Sequence, residues 1–240
     1  LETVFLSDPQ KKVPFRIIHE NTENRYLTGS DFDLESIQVL GDSIWFGEEF
    51  GPYLIKADKQ GQVQAIFETF VGDTLLQSPD HYAVRTPGAP DGTYAGVNLS
   101  RSKGFEGMAA SKDGAFLYPL LAGAVWEEAN QSWEEREGKR VLRVLEFDVA
   151  QEEWTGRHWF YPLEAEHHAI GDFNMIDATT ALVIERDNGE GTPDKACKDN
   201  QATEQCFSQL PKFKRVYKIE FTPEMAGNAV RKVGYIDLLS

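Results

Sequence analysis

Hydrophobic and polar positions alternate in short runs along most of the chain. Val39-Leu40 and Ser43-Ile44-Trp45-Phe46 flank a Gly41-Asp42 turn. Tyr53-Leu54-Ile55-Lys56-Ala57-Asp58 forms the next run, and Lys59-Gln60-Gly61-Gln62 separates it from Val63 to Phe67. Short apolar or alternating runs bounded by Gly, Asp and Asn predict β-strands joined by tight turns. Helical signals are sparse. The acidic stretch Val125 to Gly138 reads as a long loop, with a turn or two of exposed helix as the alternative. Pro223 to Ala226 reads as a single helical turn, with Thr222 as its N-cap and Pro at the first helical position.

The alternation is organised into a repeat. One unit runs from Asp33-Leu34-Glu35-Ser36-Ile37 through Ser43-Ile44-Trp45-Phe46 to Tyr53–Asp58 and Val63. A second runs from Gly104-Phe105-Glu106-Gly107-Met108 through Ala115-Phe116-Leu117-Tyr118 to Val141–Asp148 and Trp154. A third runs from Gly171-Asp172-Phe173-Asn174-Met175 through Ala181-Leu182-Val183-Ile184 to Arg215–Phe221. The spacing from Glu35 to Glu106, and from Glu106 to Asn174, is about 70 residues. Four strands per unit is the blade of a β-propeller. The chain is therefore read as all-β and propeller-like, with about three four-stranded blades (repeat units about 29–70, 98–155 and 168–225) in a single domain over 1–240. Long insertions near Phe70–Lys103, Ala122–Gly138 and Asp187–Phe213 enlarge the units and are expected to build the functional face. Propellers close with four to eight blades. This chain is thus expected to be a portion of a larger propeller, or to be completed by another chain. Leu1–Thr28 is expected to supply strands of a preceding blade, and Val230–Leu239 to begin the next one.

Composition narrows the chemistry. The 240 residues carry 39 acidic and 24 basic side chains, a net charge of −15. Such a surface repels phosphate backbones, so nucleic acid is excluded as a partner. No apolar run reaches the roughly 18 residues of a membrane-spanning helix. The start at Leu1-Glu2-Thr3, without an initiator Met, reads as a processed or partial chain. Cys197 and Cys206 lie nine positions apart in a polar stretch, a spacing that suits a local disulfide in a secreted protein; two free thiols are the alternative.

In a propeller the innermost strands line the channel, so equivalent positions of successive blades converge. Those positions hold Glu35, Glu106 and either Asn174 or Asp172. The strands that follow end at Glu48-Glu49 and at Glu185-Arg186-Asp187. Carboxylates gathered this closely need a cation or raised pKa values, and hard oxygen ligands favour Ca²⁺, then Mg²⁺, over Zn²⁺. Glu35, Glu48, Glu49, Asp172 and Asp187 are the candidate metal ligands. Glu106, Glu185, Arg186 and His168 are the candidate catalytic groups, with Arg101 and Lys103 as substrate-binding cations. The alternative for each Glu is a blade-locking residue that accepts backbone N–H bonds, and for Arg186 an ion pair with Glu185 or a neighbour. Asp187-Asn188-Gly189-Glu190 with Asp194 is rich in oxygen ligands but lacks EF-hand spacing. No nucleophile elbow, phosphate-binding Gly-rich loop or zinc motif is present.

Asp31-Phe32-Asp33-Leu34-Glu35-Ser36, Trp45-Phe46-Gly47-Glu48-Glu49-Phe50-Gly51-Pro52-Tyr53-Leu54, Ser102-Lys103-Gly104-Phe105-Glu106-Gly107-Met108-Ala109, Ile170-Gly171-Asp172-Phe173 and Leu182-Val183-Ile184-Glu185-Arg186-Asp187-Asn188-Gly189 together resemble the bacterial phytase-like family. Its usual description is an esterase-like activity of phytase. The resemblance runs over about residues 1 to 235. It implies a propeller-like, secreted or periplasmic hydrolase of phosphate esters, phytase-like or alkaline-phosphatase-like, assisted by calcium and acting on a small anionic substrate. Two other functions compete with that expectation: a non-catalytic propeller that binds a ligand or partner through its loops, and a calcium-dependent lactonase-like hydrolase.

Overall fold

The computed structural model describes residues 3–84, 96–198 and 206–240; parts of the first and third insertions lie outside the described residues. The first sheet is a four-stranded antiparallel meander of β1 (Leu34–Leu40), β2 (Ser43–Glu48), β3 (Tyr53–Asp58) and β4 (Val63–Glu68). A small hairpin follows, β5 (Phe70–Val71) with β6 (Thr74–Leu75). The second sheet has β7 (Phe105–Ala110) innermost and β8 (Phe116–Leu121) beside it. Its insertion carries the hairpin β9 (Trp126–Glu127) and β10 (Ser132–Trp133), then β11 (Glu135–Arg136). β12 (Lys139–Asp148) and β13 (Glu153–Pro162) complete that sheet, with β11 pairing to the start of β12. The third sheet is β14 (Ala169–Met175), β15 (Thr180–Arg186), β16 (Lys214–Glu220) and β17 (Arg231–Asp237), again a meander. The acidic insertion is thus short strands and turns, and Pro223–Met225 is one 3₁₀ turn whose N-cap, Thr222, makes no side-chain capping bond.

The third strand of the first two units ends in Asp because that carboxylate builds the next turn. Asp58 Oδ1 accepts the N–H groups of Gln60 and Gln62 at 2.9 Å, and Asp148 Oδ1 those of Ala150 and Gln151 at 2.9 Å. Gly61 sits in the first of these turns at φ +83°. A Cβ there would lie 2.4 Å from the Phe5 carbonyl oxygen, so only Gly lets the N-terminal segment pass so close.

The three sheets stack as blades, with β7 packed between β1 and β14. Trp45 and Leu54 of the first blade meet Phe105, Met108, Leu117 and Phe147 of the second in one buried cluster. Leu142, Trp159 and Tyr161 of the second meet Phe173, Val183 and Tyr217 of the third in another. The three blades form an open fan, not a closed ring. Ile37 and Val39 on β1, and Val233, Tyr235 and Ile236 on β17, are exposed.

Two strand expectations are corrected. The N-terminal segment does not build a preceding blade. Ser7 bridges Gln62 beside β4, and Val13, Ile17 and Phe32 cover Tyr53, Ile55 and Val63 of the first blade. A buried Asp8–Arg25 ion pair at 3.0 Å holds this cover together. Arg231–Asp237 does not begin a new blade; it pairs with β16 as the outer strand of the third. Alternation identifies strands, but the edge on which each one pairs is set by contacts distant in sequence.

Candidate functional site

The inner strand of every blade carries a β-bulge at its beginning. On β1 the register slips between Leu34 and Ser36, which leaves Glu35 as the extra residue. On β7 it slips between Phe105 and Gly107, which leaves Glu106. On β14 it slips between Ile170 and Phe173, so Gly171 and Asp172 share the bulge. A bulge re-aims a side chain out of the regular alternation. The repeat position noted in the sequence is this bulge, and it falls on Asp172, not on Asn174.

Glu35 and Glu106 are thereby gathered with Asp33 and Glu49. One carboxylate oxygen from each of Asp33, Glu35 and Glu49 lies within 4.8 Å of the others. Glu49 follows β2 and is 6% exposed. Burial, then the charges of Glu106 and Glu35, push its carboxyl up to about 7, against the pull of Lys103. Burial also raises Glu35, aided by Glu106 and Asp33. Glu106 is raised by burial, with Lys103 and Arg186 opposing. No hydrogen bond from a described residue reaches the Glu49 carboxylate, so only the charge of Lys103 works against its desolvation. The donor set is oxygen only, which suits a hard divalent cation. Gly104 allows this gathering: a Cβ on it would lie 2.6 Å from the Glu48 carbonyl oxygen and 2.6 Å from the Glu49 Cα.

Beside the acids lies a cleft of about 390 Å³ between the second and third blades. Lys103, Glu106, Arg140, His167, His168 and Arg186 line its polar side, with Trp133, Leu142 and Leu163 on the wall. The Nε of Arg140 is buried with no hydrogen-bond partner. Arg186 bonds the Asn188 side chain at 2.9 Å and makes no ion pair with Glu185. Its charge acts on Glu106 instead.

Several expected site residues have other work. Glu48, expected among the metal ligands, is fully buried. Its Oε1 accepts the N–H groups of Asp33 (3.2 Å) and Phe50 (2.6 Å), and its Oε2 that of Gly51 (2.9 Å). It locks the blade, the alternative role its sequence allowed. Asp187 does the same for the third blade: it accepts the N–H groups of Lys212 (2.7 Å), Phe213 (3.1 Å) and Gly189 (3.3 Å) and pairs with Lys214 at 3.1 Å. Asp172 is spent on the Phe173 N–H and the Asn174 amide, both at 2.8 Å, and stands outside the acidic triad. Arg101 pairs with Asp80 on an exposed loop and does not line the cleft. Glu185 is buried behind the cleft, bonded to His168. Cys197 and Cys206 form the disulfide.

Sequence reasoning missed Asp33 and Arg140. The signal for Asp33 was present: two residues before Glu35 on an extended segment, it shares a face with it. Arg140 stands at the start of β12, where it pairs with Glu135 of β11, a placement that no local pattern discloses.

The described residues contain no helix long and apolar enough to cross a membrane. A family model described as phytase-like, esterase-like activity of phytase, matches residues 1–239. An uncharacterized secreted protein of Arthroderma benhamiae is 28% identical over 138 residues, 49% of this chain and 24% of the relative. The match therefore spans about a quarter of that relative's length. Among solved structures, U3-55K aligns at 14% identity with a TM-score of 0.31, over 86% of this chain and 51% of that one. The hydrazine synthase of Kuenenia stuttgartiensis aligns at 14% identity with a TM-score of 0.33, over 86% and 54%. The family match covers all three blades, with the acidic and the basic side of the site alike, and by it the chain belongs to the phytase-like family.

Proposed function

We propose that this chain forms the site of a secreted, metal-assisted phosphoester hydrolase. The carrying observation is the juxtaposition of the Asp33–Glu35–Glu49 triad, with its buried and unbonded Glu49, and a cleft lined by Lys103, Arg140 and Arg186. Asp33, Glu35, Glu49 and Glu106 are the residues that would hold the cation, Ca²⁺ before Mg²⁺. When bound, such an ion polarises a phosphoryl oxygen and lowers the pKa of a coordinated water. Lys103, Arg140 and Arg186 bind and orient the phosphate group, and the guanidinium forks match its paired oxygens. Leu142, Leu163 and Trp133 exclude water from one side of the ester. The disulfide and the secreted relative support an extracellular location.

The test is turnover of aryl phosphate mono- and diesters by the protein with excess Ca²⁺ and then with EGTA, with Glu106→Gln beside it. Calcium-dependent release that falls at least about 10²-fold in Glu106→Gln supports the reading. Folded protein that turns over neither ester overturns it. Hydrolysis of a lactone without a phosphate ester would instead assign a lactonase.

A further inference from the structure

His168 and Glu185 are joined in a way that the carboxylate site does not use. Glu185 is fully buried on β15. Its Oε1 accepts His168 Nδ1 at 2.9 Å and the Glu164 N–H at 2.7 Å. Its Oε2 accepts the Tyr161 hydroxyl at 2.9 Å and Lys232 Nζ at 2.8 Å. Four donors on two blades therefore fix one carboxylate. Lys232 balances its charge while resting over the Tyr161 and Tyr217 rings at 4.4 and 4.1 Å. An ionised carboxylate only accepts, so His168 donates through Nδ1, which leaves Nε2 as the second ring nitrogen. The His168 side chain is 7% exposed, and its ring packs on Phe213 with centroids 4.2 Å apart. It nonetheless lines the same cleft as Lys103, Glu106 and Arg186. A histidine clamped from behind by a buried acid, with its ring on a reaction cleft, has the geometry to give up a proton from Nε2 as the imidazolium, in which both ring nitrogens carry hydrogen.

Building on the phosphoester reading, we infer that His168 is the general acid for the departing alcohol and that Glu185 is its positioning residue. The site is thereby matched to phosphate esters of poorly acidic, aliphatic alcohols. In the step, the oxygen of a water bonds to phosphorus and the P–O bond to the alcohol breaks. The electron pair of that bond goes to the departing oxygen, which takes the proton from His168 Nε2. The attacking water's proton passes to solvent, and His168 regains a proton from solvent after release. Alcohol and inorganic phosphate leave, and the enzyme is restored. Esters of acidic phenols expel their leaving group without this proton, so they serve as the internal control.

The experiment compares p-nitrophenyl phosphate with glycerol phosphate, with Ca²⁺ present, for the wild type, His168→Asn and Glu185→Gln. For His168→Asn, kcat on glycerol phosphate is expected to fall about 10²–10⁴-fold, that on the aryl ester less than about tenfold, with KM little changed for both. Glu185→Gln should shift kcat the same way by a smaller factor, a leaving-group selectivity that a merely structural role would not produce. If Glu185→Gln does not fold, His168→Asn alone decides. Equal losses on both esters, or an unchanged rate on glycerol phosphate, overturn the assignment and leave the phosphoester reading standing. A wild type that hydrolyses neither ester overturns the phosphoester reading itself, and this inference with it.

Discussion

Glu48 and Glu49 are neighbours in sequence with opposite fates. One accepts three backbone N–H groups, and the other, nearly as buried, accepts none from a described residue. The sequence marked both as ligands because it showed two acids at a strand end, and composition does not say which of two adjacent side chains turns to backbone. The difference is measurable. Glu48→Gln places an amide where three N–H donors need acceptors, and is expected to cost about 1–3 kcal/mol, roughly 2–12 °C in Tm for a chain of this size. Glu49→Gln removes an unbonded buried charge and is expected to hold or raise Tm without added metal. With Ca²⁺ at about 100 times its Kd, the wild type gains about 2.7 kcal/mol, whereas Glu49→Gln gains almost none. Thermal scans with and without Ca²⁺ check both; equal calcium shifts in wild type and Glu49→Gln would remove Glu49 from the metal site. His81 makes a second residue-scale case, away from the acids. It is 2% exposed, and its Nδ1 accepts the Ala83 N–H at 3.1 Å and the Gln77 amide at 3.2 Å. Its Nε2 is buried with no hydrogen-bond partner. Burial pushes the ring below its ordinary 6.5, with Glu68 opposing. The folded state then takes up its proton at lower pH than the unfolded chain. The stability this provides is complete above pH 6.5 and is lost as pH falls from there through the folded value. His81→Phe should lose less Tm than the wild type between pH 7.5 and pH 5, and equal losses would show that His81 does not set the slope.

At the scale of elements, the strands and the repeat were legible because alternation and turn residues are local properties. The bulges were not. A bulge is a mismatch between two strands, so one strand's residues do not announce it, and the third blade was left open between Asn174 and Asp172 for that reason. The same limit hid the pairing of β17. The inner strands also approach one another through glycine. A Cβ on Gly107 of β7 would lie 2.8 Å from Phe173 Cβ and 2.9 Å from the Gly171 carbonyl oxygen on β14, both on or next to backbone that has little room to give. Gly234 on β17 has nothing within 4 Å of its would-be Cβ. Gly107→Ala should therefore cost about 1–3 kcal/mol by forcing the second and third blades apart, while Gly234→Ala is expected to be neutral or to gain about 0.4–1 kcal/mol. Urea unfolding of the two variants gives the comparison. A Gly107→Ala protein as stable as wild type would mean that the inner strands part easily, and that the acids and cations they carry are held less firmly than the contacts imply.

For the whole molecule, the question is whether three blades behave as one body. Two of the three buried clusters span blades: Phe147 packs with Trp45 across the first junction, and Phe173 shares the cluster at the second with Trp159. The second blade contributes to both. Its β7 touches both neighbouring inner strands, and the Gln38 amide reaches the Met108 carbonyl at 2.7 Å and Asn174 Oδ1 at 3.2 Å, tying all three blades along the channel side. A stack of repeats whose interfaces are weak unfolds blade by blade, while one whose interfaces dominate unfolds as a unit. The interfaces here hold most of the largest fully buried side chains, Trp45, Trp159, Tyr161, Phe105, Phe147 and Phe173 among them, so unfolding is expected in one cooperative transition. Phe147→Ala and Phe173→Ala should each lower its midpoint by the equivalent of about 3–5 kcal/mol, although they lie at different junctions. Hydrogen exchange resolves the alternatives: amide protection of β2 and of β15 should fall together in both variants. If Phe173→Ala released β15 and left β2 protected, the third blade would be a separate unit. The cleft between the second and third blades would then open by local unfolding, and the His168–Glu185 pair would move away from the carboxylates contributed by the first.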